Sequence, residues 1–182
     1  MSRILFIALS LLLLTSCSEN NDASIQLSES SPLVIAAEEN RIEDVQSLLN
    51  NGHNVNATDN CGWTALMKAS LYGHLEISEL LIQHGAKIDL VDSGGYTAML
   101  LAASNNHKPV VRALLDKGAA INHQEQTRGW TALIWASKRG HAETVRLLLT
   151  RNADRQIADH SGKTALSWAQ ENNKPVVVML LE

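Results

Sequence analysis

Residues 62–85 read GWTALMKASLYGHLEISELLIQHG, and the local physics of this stretch decides the fold. Thr64 stands where a helix begins, with a hydroxyl able to accept from a free backbone N–H. Ala65, Leu66 and Ala69 follow at helical spacing, and the alanines keep this first helix slim. Gly73-His74 breaks the pattern, since glycine readily takes the positive φ that ends a helix. A second helix follows, with Ile77, Leu81 and Ile82 on its apolar face. Gly85 closes it. The extended Ala86-Lys87-Ile88-Asp89 then leads through Asp92-Ser93-Gly94-Gly95, a hairpin-like turn, to the next threonine.

The unit recurs. Thr64-Ala65-Leu66, Thr97-Ala98-Met99, Thr131-Ala132-Leu133 and Thr164-Ala165-Leu166 are separated by 33, 34 and 33 residues. A glycine precedes each threonine by two positions (Gly62, Gly95, Gly129, Gly162), and an alanine follows by five (Ala69, Ala102, Ala136, Ala169). One step back lies Ser31-Pro32-Leu33 with Ala36, a diverged first copy. Later second helices carry Val110, Val111, Leu114 and Leu115, then Val145, Leu148 and Leu149, and Pro109 sits at a helix start, where its missing donor costs nothing. Gly52, Gly85, Gly118 and Asn152 end the second helices. The 34-residue spacing places one extra residue at a hairpin tip within His123–Arg128, where insertions are tolerated. In the last copy, Asn173-Lys174-Pro175-Val176-Val177 reads as one residue shorter than Asn106-His107-Lys108-Pro109-Val110-Val111. Helices this short are unstable alone, so the copies must stack to bury their apolar faces.

This pattern resembles the ankyrin family, with its 33-residue period and Thr-Pro-Leu-His-x-Ala core. The family's Pro is replaced by Ala65, Ala98, Ala132 and Ala165, and its His by Met67, Leu100, Ile134 and Ser167, which exchanges an inter-repeat hydrogen bond for apolar contact in three of the four copies. The resemblance implies an all-α solenoid of about five helix-turn-helix repeats with hairpin-like loops. They span residues 30–182 as one domain, divided at about 30–58, 59–91, 92–125, 126–158 and 159–182. The last copy is the C-terminal cap, yet Val176, Val177, Val178 and Met179 make it apolar where caps are polar; the end is either imperfectly capped or meets a partner.

Ahead of the repeats, Arg3 precedes an apolar run from Ile4 to Leu14. That is long enough for an export signal and short of the roughly 18–20 residues that span a bilayer. The run ends in Leu14-Thr15-Ser16-Cys17, which resembles the bacterial lipobox. The resemblance implies that residues 1–16 are a removed signal peptide and that Cys17 is lipidated, with palmitate among the acyl chains. Each buried methylene contributes about 0.8 kcal/mol to the anchor. Ser18, by resemblance to enteric lipoproteins, favours the outer membrane with the domain in the periplasm. Residues 17–29 are a lipidated cysteine and a polar flexible linker. Cys61 is the one other cysteine, so with Cys17 lipidated no intramolecular disulfide is expected, and Cys61 reads as incidental.

Apolar residues make up 45% of the chain and charged residues 19%, the balance of a folded protein. The net charge is -4; without Arg3 the mature chain keeps 14 basic residues against 19 acidic. With no dense Lys/Arg cluster, nucleic acid is not an expected partner. Signatures of metalloproteases, serine hydrolases, phosphate loops and Cys-x-x-Cys redox sites are missing. No catalytic residue, cofactor or metal is therefore expected. His74, His107 and His141 share one repeat position, but stacked helices lie about 8–10 Å apart, too far for two ligands each about 2 Å from one ion; capping and packing at the turn is their expected role.

Binding of another protein remains, by a monomer that touches membrane only through its lipid. Trp63, Tyr96 and Trp130 stand just before their threonines, Lys163 before the fourth, and the aromatics read as a ladder of hot-spot residues about 10 Å apart. The alternative is that they only shield the neighbouring hairpin. Tyr72, Lys138 and Arg139 at first-helix ends and Arg128 in the hairpin complete the candidate surface. Trp135 and Trp168, four residues after their threonines, read as core. The other readings are an accessory or protective factor for an envelope enzyme, such as a peroxide-handling one, and a passive spacer.

Overall fold

The structure, a computed structural model, describes residues 31–182. The signal peptide, Cys17 and the whole of the linker expected in the sequence lie outside the described residues. Among the described residues ten helices pair into five repeats: α1 Pro32–Glu38 with α2 Ile42–Asn50, α3 Ala65–Tyr72 with α4 Leu75–Gln83, α5 Ala98–Ser104 with α6 Lys108–Asp116, α7 Ala132–Arg139 with α8 Ala142–Thr150, and α9 Ala165–Glu171 with α10 Pro175–Leu181. The odd-numbered helices stack on one another as one layer and the even-numbered helices as a second. The fold is the all-α solenoid that the repeats imply, and among the described helices none is long and apolar enough to cross a membrane.

The threonines cap as their chemistry demands. The hydroxyls of Thr64, Thr97, Thr131 and Thr164 accept from the backbone N–H of Met67, Leu100, Ile134 and Ser167 at 3.2, 3.3, 3.2 and 3.4 Å. The diverged first copy has Ser31 at this place with no side-chain cap, and Pro32 opens α1 instead. The slim first helices bury most fully in the middle of the stack: every residue of α5 is inside, whereas α9 buries only Ala165 and Ala169. From the second helices, Ile77, Leu81, Val110, Val111, Leu114, Val145 and Leu148 reach the core.

Between repeats, the turn histidines act as fasteners. Because a carbonyl only accepts, His74, His107 and His141 donate from Nε2 to the carbonyl oxygens of Glu38, Leu71 and Ser104 in the preceding repeat, at 3.2, 3.0 and 3.1 Å. These are carbonyls that a helix end leaves without an intrahelical donor. Gly73 makes room for one of the rings: it lies at φ +77, and a Cβ there would fall 2.3 Å from His107 Nδ1. Thr144 adds a further tie, donating to Asn106 Oδ1 at 2.9 Å.

Two sequence expectations change. In the last copy no residue is missing: Asn173 takes the positive φ of Asn106, α10 begins at Pro175 in the register of Lys108, and Val177 and Leu181 are buried as Val110 and Leu114 are. The proline has moved by one position and the backbone has not. Val176 and Met179 are left 51% and 69% exposed, so the apolar character of the terminal helix does reach the surface. Cys61 is bonded in a disulfide and is not an incidental thiol.

The extra residue of the third-to-fourth interval lies between Glu125 and Trp130. In the other hairpins the backbone N–H of Asp59, Asp92 and Asp159 donates to the carbonyl four residues on (Trp63, Tyr96, Lys163); that of Glu125 donates five residues on, to Trp130. Each aspartate carboxylate also closes its own loop, taking the N–H groups of Cys61 and Trp63, of Gly94 and Tyr96, and of Ser161 and Lys163. Glu125, one methylene longer, spans a loop one residue longer. It accepts from the N–H groups of Thr127, Arg128 and Trp130 and from the Thr127 hydroxyl.

Candidate functional site

Neighbouring hairpins join through their backbones: Ser93 N–H donates to Cys61, Gln126 N–H to Gly94 and His160 N–H to Arg128, at 2.9–3.1 Å. This stacking fixes the residues just before the threonines relative to the first helices. The aromatic residues that result do not form a single row. Trp130 is 2% exposed, wedged edge-to-face between Trp135 of its own first helix, 4.5 Å away, and Trp168 of the next, 5.0 Å away. Tyr96 lies 6.4 Å from Trp135. The aromatic run is thus Tyr96, Trp135, Trp130, Trp168, with tip and helix positions interleaved. Trp63 stands under Lys68, whose Nζ is 4.9 Å from the ring centroid.

Asp159 organises the cluster. Its Oδ2 accepts the indole N–H of Trp130 at 2.9 Å and of Trp168 at 2.8 Å, while Oδ1 takes the backbone N–H and hydroxyl of Ser161 and the N–H of Lys163. Burial by itself would raise the pKa of this carboxyl; the donors from Ser161, Lys163, Trp168 and Trp130 outweigh it and hold the group ionised well below the usual carboxylate range. Glu125, 1% exposed, behaves alike: burial pushes it up and its hairpin donors bring it down. At Asp92 burial prevails over the donors from Tyr96 and Gly94, and Asp59 and Glu125 add repulsion, so its pKa is raised.

Over this floor lie cations. Lys138 Nζ sits 4.5 Å from the ring centroids of both Trp130 and Trp168, Arg128 4.8 Å from Trp130, Arg139 5.1 Å from Trp135 and Lys163 4.7 Å from Trp168. Ring faces attract such groups. Burial, followed by the repulsion of Arg128, Arg139 and Lys163, lowers the Lys138 pKa against the opposing attraction of Glu171, and burial lowers that of Arg139. At the other end of the solenoid, Tyr72 and Lys68 are satisfied within the chain. The Tyr72 hydroxyl donates to Glu38 at 3.1 Å, and Lys68 pairs with Glu38 at 2.9 Å.

A family model described as ankyrin repeats (3 copies) matches residues 33–125 and 119–182. The chain belongs to the ankyrin-repeat family. Ankyrin repeats are in general non-catalytic modules that bind other proteins. One curated relative is an E3 ubiquitin-protein ligase, XBAT33, of Arabidopsis thaliana, 51% identical over 47 residues; these make up 26% of this chain and 9% of that relative. The chain thus shares a repeat segment with a small fraction of the longer protein.

Within this ankyrin domain the sequence-derived surface divides in two. Arg128, Lys138 and Arg139 do come together, in the fourth repeat and against Trp168 of the fifth, while Trp63 and Tyr72 lie near Glu38 at the first two. Trp130, expected as an accessible hot spot, is enclosed, and its shielding of the neighbouring hairpin is the role the geometry gives it. Trp135 is 5% exposed, as a core residue should be, and its buried indole N–H lacks a partner. Sequence reasoning missed Asp159, and it marked Lys163 only as the residue before the fourth threonine, not as a cation over Trp168. The signal for Asp159 was present, an acid at the same offset before each threonine (Asp59, Asp92, Asp159).

Proposed function

We propose that this chain is a non-catalytic ankyrin module for protein–protein interaction, tethered to the bacterial cell envelope by lipid at Cys17, with the repeats facing the periplasm from the outer membrane. The observation that carries the binding role is the cluster of Arg128, Lys138 and Arg139 laid over enclosed tryptophans. A passive spacer has no need of charged side chains brought together and partly desolvated, which costs stability. A binding surface gains from them, because side chains already held in place lose less freedom when a partner arrives. The candidate contacts are Arg128, Lys138, Arg139, Tyr72, Trp63 and the exposed part of Tyr96.

The tether rests on the Ile4–Leu14 run and its ending at Leu14-Thr15-Ser16-Cys17. It competes with one structural fact. Cys61 is disulfide-bonded, Cys17 is the one other cysteine of the chain, and a thioether-linked lipid and an intramolecular disulfide require the same sulfur atom. Under the tether, the exported chain carries acyl mass at an N-terminal Cys17 and a reducible or intermolecularly paired Cys61. The test is intact and peptide mass analysis without reductant, together with membrane fractionation of Cys17→Ser. Acylated Cys17 and release of the variant support the tether; a peptide linking Cys17 to Cys61 through sulfur overturns it. Crosslinking in intact cells tests the binding role: a discrete protein adduct is expected, and a chain that captures none contradicts it.

A further inference from the structure

Charge is distributed unevenly along the solenoid. Residues 31–91 hold eight acidic and three basic residues, whereas residues 126–182 hold eight basic and five acidic. The net charge of -4 for the chain therefore conceals a basic C-terminal end. The local carboxylates are engaged by other donors. Asp159 and Glu125 are buried and consumed by hairpin and indole donors, and Glu171 pairs with Lys163 at 2.7 Å. Among the described residues, no carboxylate lies within ion-pair distance of Arg128, Lys138 or Arg139. Where the first repeats place Glu38 against Lys68 and Tyr72, the last repeats place Glu171 against Lys163 and leave Arg128, Lys138 and Arg139 without a carboxylate in direct contact.

We infer that the face formed by Arg128, Lys138 and Arg139 over Trp130, Trp135 and Trp168 docks a carboxylate-rich segment of a partner protein. The inference rests on the binding role proposed above and specifies its chemistry. Arginine offers paired donors to a carboxylate and lysine a point charge. The ring faces hold these groups in position and have already removed part of their water, so an incoming carboxylate meets cations at reduced desolvation cost. A peptide suits the site better than nucleic acid because the cations form one compact group, set in an overall acidic chain that repels a long phosphate backbone.

The test is a titration of the full chain with a fluorescein-labelled peptide rich in Glu and Asp, read by anisotropy and by quenching of the tryptophan cluster. The same peptide with Gln and Asn in place of the acids, and a thymidine oligonucleotide, run alongside. Binding of the acidic peptide alone is expected, weakened about tenfold between about 50 and 300 mM salt. Arg128→Glu and Arg139→Gln should weaken it at least tenfold at unchanged melting temperature, with Lys138→Glu as a third variant. Equal binding of the neutral peptide, equal binding of the oligonucleotide, or unaltered affinity in Arg128→Glu overturns the inference. So does concentration-dependent self-association abolished by Arg128→Glu, which would assign the face to a second copy. Capture of a cellular partner that survives all three substitutions refutes this face alone and leaves the binding role standing; failure of the wild-type chain to capture any protein removes both.

Discussion

Asp159 accepts the indole N–H of Trp130 from the preceding repeat at 2.9 Å, so the tryptophan that looks most like a contact residue is a tie between repeats. Truncating Trp130 to Ala removes a buried ring and one of the donors that keep a buried carboxylate satisfied. A loss of about 3–5 kcal/mol is expected, against a smaller loss of about 1–2 kcal/mol for the partly buried Trp63→Ala. Denaturant unfolding of the two variants decides; equal costs would mean that the ring packing is misassigned.

The two buried indoles should also respond differently to losing only the N–H. Trp130→Phe takes a donor from Asp159 and should cost about 1–3 kcal/mol, whereas Trp135→Phe removes an N–H that has no partner and should be nearly neutral or stabilising. Urea midpoints of the pair measure this. A larger loss at Trp135 than at Trp130 would contradict the hydrogen-bond assignment.

Glu125 and the extra hairpin residue should be energetically coupled, since the longer acid spans the longer loop. Glu125→Asp alone should destabilise the fold, as should deletion of Thr127 alone. Combined, they recreate the geometry of Asp59 and Asp92 and should cost less than the sum of the two single changes. A double-mutant cycle in unfolding free energy tests it; strict additivity would show the two features to be independent.

Stability should fall as pH drops through the histidine range. Burial lowers the pKa of His107 and His141, against the hydrogen bonds to Leu71 and Ser104, with neighbouring His74, Arg139 and Lys174 adding repulsion. The unfolded chain, titrating near the ordinary pKa of about 6.5, then binds more protons than the folded one, so the stability is present above about 6.5 and is lost as pH falls toward the lowered folded values. Unfolding midpoints at several pH values between about 7.5 and 5 check this, with the slope reduced in His107→Gln. A flat profile in the wild type would refute it.

Much of this architecture is legible in the chain because it is local and periodic. The threonine caps, the alanine-faced first helices, and the burial of Leu81 and Leu114 follow from spacing alone. What escaped is non-local. The enclosure of Trp130 depends on Asp159 and Trp168 of the next repeat, side chains whose approach is set by hairpin stacking. The register of α10 was misread because proline looked like a landmark, while the backbone follows Asn173, whose positive φ ends the first helix as Asn106 does. The longer side chain of Glu125 was in plain view, and only the loop geometry shows why it pairs with the insertion.

The central claim is that the first-helix and hairpin side of the repeats binds another protein. It is tested most directly by placing a photoreactive residue, in intact cells, at Arg128 or at Tyr72, and for comparison at Arg112 or Glu79 on the exposed side of the second helices. The account predicts a discrete protein adduct from Arg128 or Tyr72 and none from Arg112 or Glu79. Adducts only from Arg112 and Glu79, or equal adducts from all four, would contradict it.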